Sequence, residues 1–374
     1  MGRHVVRRST AGGLALLAGL TAGCTSEAEP PRSDGTVTVR TTPAPAPVVS
    51  TAEAAKVFEE YDRVNAAADA SLDGSAIARV QTGVLLKESL AAYDIHRKAK
   101  TTDTATRFAR PRFLIPAVDP ARPYPRSFAV LSKRKGNEDD RSSLLFYFTR
   151  AKAGEPWKAT AETWALTEPF ASPSPSPSSS DAAPTASASQ DDKTVQLRPK
   201  QLPELERGPS GTTPSSPTAT ADRAVCDGFA DLLSFSPPHG STEDARFTRG
   251  AFTSDLVRRL NGRADKALER RWSYRTTGED LPVFRLAHGG SLVACTYVRE
   301  YDVAGTGATG TVRFGKGSDT DVLLGGGREW RSVKETGSMT ALIEVPAPKS
   351  APATVLGCDC YAPQAITATG VPAP

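Results

Sequence analysis

Four of the five cysteines in this 374-residue chain, Cys226, Cys295, Cys358 and Cys360, fall in its second half. An even number of thiols in an exported chain reads first as two disulfides, because an oxidising compartment keeps thiols paired. Cys226 lies in a helical pattern and Cys295 in a strand pattern, whereas Cys358 and Cys360 are two apart and face the same side of an extended segment. That spacing favours one bond from Cys226 and one from Cys295, each to a member of the C-terminal pair. A Cys226 bond to the tail would be worth on the order of 4 kcal/mol of unfolded-chain entropy and would clamp the last strand. The sharper alternatives are a four-thiolate zinc site and a redox-active Cys-x-Cys. Zinc favours Cys-x2-Cys spacing and a reducing compartment, so both rank below disulfides, and no metal is expected.

Two glycine motifs match phosphate sites by letter. Gly305, Gly307 and Gly310 fit a dinucleotide pattern, and Gly310 to Gly317 nearly fits a P-loop, but Gly317 stands where a magnesium-binding hydroxyl belongs. Neither leads into an apolar-periodic helix, so the stretch from Asp302 to Trp330 reads as one mobile, Gly-rich hairpin excursion and no nucleotide cofactor is expected. His96, His239 and His288 are scattered in turn or helix-end settings without a serine elbow or a zinc-binding His pattern. Glu138, Asp139 and Asp140 lack the spaced oxygens of a calcium loop and read as a solvated turn. Arg258, Arg259, Arg270 and Arg271 read as the wet face of an amphipathic helix. No catalytic residue is assigned, and the chain is expected not to be an enzyme.

The first two dozen residues carry the other chemistry. Arg3, Arg7 and Arg8 precede an apolar run from Ala11 to Gly23 that is too short to span a bilayer. Leu20-Thr21-Ala22-Gly23-Cys24 resembles the lipobox of bacterial lipoproteins, in which the cysteine thiol receives a diacylglyceryl group; Thr21 stands where a branched aliphatic residue is usual. Residues 1–23 are thus expected to be a cleaved signal and Cys24 the lipidation site, holding the protein on the extracytoplasmic face of the cell membrane. Arg7-Arg8 leaves twin-arginine export open, although Ser9-Thr10-Ala11 lacks the bulky residues that follow such a pair.

The formal charge of +4 comes mostly from that signal, since removing it takes away three arginines and no acid. A nearly neutral mature chain offers no footprint for nucleic acid or anionic lipid. With 39% hydrophobic residues and 30 prolines, much of the chain reads as linker. Residues 24–49 read as a disordered tether and 168–222 as a long disordered Pro/Ser/Thr-rich linker, interrupted by apolar Val195 to Leu197 and Leu202 to Leu205 that suggest a short edge strand.

Between these lie two modules, 50–167 and 223–374. In the first, Ser50 and Glu53 form a capping-box pattern before an apolar helical face at Val57, Tyr61, Val64 and Ala68, predicting a helix over 51–71. Ile77 to Ile95 suggests a second helix, and strands follow at 128–133, 144–149 and 157–166. The second module repeats the order, with helices around 225–233 and 252–268 and strands at 272–277, 283–286, 292–302, 330–334 and 340–345. The similar settings of Trp157 and Trp330 suggest a degenerate duplication. The fold class is α+β, each module being helices followed by a curved antiparallel sheet of the nuclear-transport-factor-2-like or cystatin-like kind.

The Cys24 signal, the Pro/Ser/Thr tethers and the stretch from Asp280 to Arg299 together resemble a family of secreted lipoproteins from streptomycetes and relatives that is catalogued only as a domain of unknown function. The resemblance covers most of residues 50–345 and carries no catalytic residue. The expected role is a non-enzymatic, lipid-anchored binding or scaffold module of the cell envelope, with an envelope protein as partner. The alternative is a small-ligand carrier or sensor using an apolar cavity between helices and sheet. A scaffold requires an exposed apolar patch of several hundred Å².

Overall fold

The computed structural model describes residues 46–138, 140–167, 200–208 and 211–374. Cys24, the signal and most of the tether lie outside them, as does the greater part of the linker.

Helix α1 (Thr51–Ser71) begins where the Ser50 hydroxyl accepts the Glu53 amide at 3.1 Å, one half of a capping box. The Glu53 carboxylate does not return the bond. It accepts instead from Arg150 at 2.8 Å and from the Trp157 indole at 3.0 Å, which fastens the helix start to the sheet. Leu72 turns left-handed and Asp73 caps α2 (Gly74–Val80). The single second helix expected over 77–95 is broken: Gln81 is extended and Gly83 takes a φ of +61°, after which α3 (Gly83–Ala99) starts in a new direction.

These helices cover a meander of β1 (Phe108–Leu114), β2 (Arg126–Arg134), β3 (Ser142–Arg150) and β4 (Lys158–Leu166), paired in that order. Strand β1 was not legible in the sequence because Pro111 and the positive φ of Arg110 interrupt its pattern at a bulge. The space between α1 and the sheet is filled by Phe58, Tyr61, Phe108, Phe146 and Phe148, with ring centroids 4.8 to 6.4 Å apart. The apolar hollow expected there is therefore a packed aromatic core.

The second half begins with the short α4 (Ala219–Asp222), α5 (Ala224–Leu233) and α6 (Ser254–Asn261). Helix α6 is shorter than the 252–268 expectation: Gly262 ends it, Ala264 is exposed, and Leu268 opens a strand. Strands β5 (Leu268–Thr276), β7 (Ser291–Gly305), β8 (Trp330–Val345) and β10 (Gln364–Pro372) form an antiparallel sheet, with β6 (Phe284–Arg285) paired to β7 and β9 (Thr354–Cys358) to β8. The two strands expected at 330–334 and 340–345 are one, because Gly337 and Ser338 keep the ladder to β7 unbroken. Helices followed by an antiparallel meander thus describe both halves. Among the described residues no helix is long and apolar enough to cross a membrane.

The Gly-rich excursion is more ordered than expected. Strand β7 carries the chain to Gly305, and the return contains helix α7 (Asp319–Leu323) and a small core of Val303, Val312, Trp330 and Val333. Within it the Asp321 carboxylate accepts from the Gly317 and Gly327 amides, each at 2.9 Å.

The halves are not independent beads on a linker. Leu131, Leu145 and Tyr147 of the first sheet share one core with Phe284, Leu292, Leu342 and Leu356 of the second half. The described part of the expected linker stitches them: Leu202 donates to Leu166 at 2.6 Å, Leu205 bridges Leu286, and Ser215 bridges Phe284. The Leu202 to Leu205 segment thus orders as its apolar residues suggested, whereas residues 168–199, 209 and 210, with Val195 to Leu197 among them, lie outside the described residues. At the other end, Val48 and Val49, assigned to the tether, are buried in the first core.

Asp222, at the expected linker boundary, is 2% exposed and is the hub of this stitching. Its carboxylate accepts from Ser216, Thr218 and Ser291 at 2.6 to 3.0 Å and pairs with Lys349. Burial alone would push this acid up, but those four donors outweigh it and hold its pKa below the ordinary value. Asp222→Ala strands the donors and is expected to cost about 3 kcal/mol in urea unfolding; a loss within about 0.5 kcal/mol of zero would mean the hub is dispensable.

Candidate acidic cavity

Helix α3 packs against β4 and β10, and β4 against β8 and β9, leaving a cavity of about 480 Å³ at the edge of the first sheet. Four carboxyl groups line it, three of them, Glu88, Glu162 and Asp359, deep and one, Asp140, at the exposed rim. Glu88 follows buried Leu85 by one turn on α3, so both face inward. Glu162 and Trp164 alternate onto one face of β4. Asp359 follows the last residue of β9. Arg134, Asp140 and Gln364 complete a polar wall.

Every one of the three acids is pushed up. Burial raises Glu162 to about 8, the charges of Glu88 and Asp359 add to that, and Arg134 opposes it. Glu88 reaches about 7 through burial and repulsion from Asp359, against a hydrogen bond from Ser338 at 2.6 Å that joins the two halves across the cavity. Asp359 reaches about 6 through burial, moderated by the Thr340 amide and the Trp164 side chain. Behind the wall, burial raises Asp69 to about 6, while Tyr93 and Asn65 bond it at 2.6 and 2.7 Å. The three raised acids, with Arg134 as the one arginine on the wall, hold protons that a cation could displace. The Thr163 hydroxyl, on a wall residue only 1% exposed, has no partner.

None of these acids was singled out by the sequence. A carboxylate on a strand buried on both faces, as in Ala161-Glu162-Thr163-Trp164, and an aspartate between two cysteines were the available signals. The residues that were singled out lie elsewhere, with one exception. His96 bonds Thr101 at 2.8 Å, His288 sits 3.3 Å from Glu344, and neither they nor His239 line the cavity. The exception is Asp140, whose carboxylate accepts from Ser142 and whose pKa is lowered by those bonds; it is exposed, as in a solvated turn, and also lies on the cavity rim. Glu138 accepts its Gly136 amide at 3.0 Å, and Asp139 lies outside the described residues. No group of three or more His, Cys, Asp or Glu placed to hold a metal ion occurs among the described residues.

All four late cysteines are bonded, but not as the spacing favoured. Cys226 of α5 pairs with Cys295 of β7, with a Cα separation of 5.5 Å. Cys358 pairs with Cys360 at 5.1 Å. The expected pairing assumed an extended segment. Strand β9 ends at Cys358, the chain turns at Asp359, and the two sulfurs that would have faced one side are brought together.

Residues 45–173 match a family described as Domain of unknown function (DUF8094). That match covers the first half, including α1 to α3 and β1 to β4, and stops short of the Asp280 to Arg299 stretch. No curated protein and no solved structure matches the chain significantly.

Proposed function

We propose that this is a lipid-anchored binding protein of the cell envelope, of the actinobacterial secreted-lipoprotein type, that holds a small organic cation in the acidic cavity. The observation that carries the reading is the convergence of Glu88, Glu162 and Asp359 on one cavity with Arg134 as the cation beside them. An amine entering it trades the buried acids' protons for a matching charge, which turns a costly cluster into a paired one. The cone-shaped α+β expectation of the nuclear-transport-factor-2-like or cystatin-like kind belongs to this proposal too, with the ligand site moved from the hollow of one cone to the junction of two. Anchoring at Cys24 and an extracytoplasmic location are part of the same reading, supported by the lipobox-like sequence.

A cavity site is favoured over a scaffold surface because Leu90 and Val371 are the only exposed large hydrophobics among the described residues. The test uses 1,4-diaminobutane as probe, with calorimetry and Trp164 fluorescence as readouts. Binding is expected to tighten at least tenfold from about pH 5.5 to about pH 8.5, as the acids release their protons. Ala362→Trp, at the exposed rim, is expected to abolish it. Failure of the probe to bind at the higher pH would defeat the cation assignment.

A further inference from the structure

We infer that the Cys358–Cys360 disulfide is a redox latch on the acidic cavity: closed, it holds Asp359 in the wall, and opened by a protein dithiol it frees the β9–β10 connector and withdraws that carboxylate. This rests on reading the cavity as the ligand site.

The placement of the bond carries the argument. A disulfide usually stabilises by tying together distant parts of the unfolded chain. Cys226–Cys295, with a separation of 69 residues, does so. Cys358–Cys360, with a separation of two, cannot. Its effect is local, and the one residue inside its ring is Asp359, whose side chain lines the cavity. The same connector supplies Ala362, and Gln364 follows at the start of β10, so one short turn provides a continuous part of the wall. Apart from the disulfide, the connector is held by reciprocal bonds between Asp359 and the Thr340 backbone, by the Trp164 side chain, and by the Tyr361 hydroxyl, which donates to the Ala251 carbonyl at 2.6 Å. The Tyr361 ring also packs against Phe252 at 6.2 Å and beneath Arg259, so opening the disulfide ring frees Asp359 while Tyr361 stays as the connector's remaining anchor.

Both cysteines are buried, at 2% and 6% exposure, and Cys360 lies two residues from exposed Ala362, so the dithiol's attack is placed at Cys360. A reductant thiolate attacks Cys360 Sγ and the S–S bond breaks. Cys358 leaves as a thiolate and takes a proton. The second reductant thiol attacks the mixed disulfide, releasing Cys360 as a thiolate that is protonated in turn. Two electrons pass from the dithiol, which becomes a disulfide. Rotation of Asp359 out of the wall removes one of the three carboxylates, Glu88, Asp359 and Asp69, that repel Glu162 and lowers the cavity's attraction for a cation.

The experiment treats the full-length protein with graded dithiothreitol and follows each disulfide by alkylation and peptide mass spectrometry. Amide hydrogen exchange over residues 357–366 and the affinity for 1,4-diaminobutane are measured on the same samples. The expected result is opening of Cys358–Cys360 while Cys226–Cys295 stays intact, with at least tenfold faster exchange in the connector and at least tenfold weaker binding of the probe. The inference is overturned if Cys358–Cys360 opens only together with global unfolding, or if it opens and connector exchange is unchanged. Faster exchange with no binding of the probe in either state would support the latch and reject the cation reading, so the two failures are distinguishable. The doubly substituted Cys358→Ser, Cys360→Ser protein provides a permanently open form; should it fail to fold, reduced wild type carries the same test.

Discussion

The unfolding free energy is expected to fall by on the order of 3 to 5 kcal/mol between about pH 5 and about pH 8.5, with Glu162→Gln removing the largest part of the fall. Asp359, Glu88 and Glu162 titrate in the folded protein near 6, 7 and 8, each above its ordinary value. Between those limits the folded state retains protons that the unfolded chain has released. The stability they contribute is complete below the ordinary carboxylate range and is lost as pH rises through the three folded values. The figure is smaller than the summed shifts because Glu88 and Glu162 face a cavity that water enters, which screens part of the repulsion. Urea unfolding at fixed ionic strength measures it. A profile that is flat, or that rises over this interval, would mean that the acids are already neutralised by other means. The diamine should reverse the trend at high pH, since it binds the ionised cavity of the folded state.

Replacing Cys226 and Cys295 together by serine is expected to cost about 4 kcal/mol, among the largest effects of any paired substitution in the second half. The bond closes a loop with a sequence separation of 69 residues and joins α5 to the central strand β7 inside a core that contains Phe229, Tyr297 and Met339. Serine adds two hydroxyls to that core, so the loss should not fall short of the loop-closure figure. The matched pair Cys358→Ser, Cys360→Ser places hydroxyls in the same core but should cost about 2 kcal/mol less in the same unfolding assay, because so small a ring restricts the unfolded chain little. Equal losses from the two pairs would contradict the division between a global and a local cross-link.

The periodic parts of the chain were legible and the junctions were not. Helix α1, its cap at Ser50 and its stop at Leu72 follow from spacing that local interactions enforce. Strands β2, β3, β4 and β7 likewise carry β-branched and aromatic runs that tertiary packing reinforces. Strands β9 and β10 carry little such pattern, since Gly357 and Gly370 sit where another backbone or a tryptophan ring comes within contact of their missing side chains. The disulfide pairing was misjudged because it depended on the turn at Asp359, a local break that strand periodicity does not encode. The cavity was invisible for a related reason: Glu88, Glu162 and Asp359 belong to three separate elements and meet only after the halves share a core. Asp140, read as a solvated turn residue, joins them on the rim by the same tertiary accident.

The hydrogen bond from Leu202 to Leu166 brings together the two ends of everything that lies between residues 167 and 200. Each doubling of its length adds only about 0.6 kcal/mol of closure entropy. Glu162 on the strand that ends at Leu166 and Asp222 on the helix beyond Leu202 are therefore held by the same closed junction, whatever length of chain it spans.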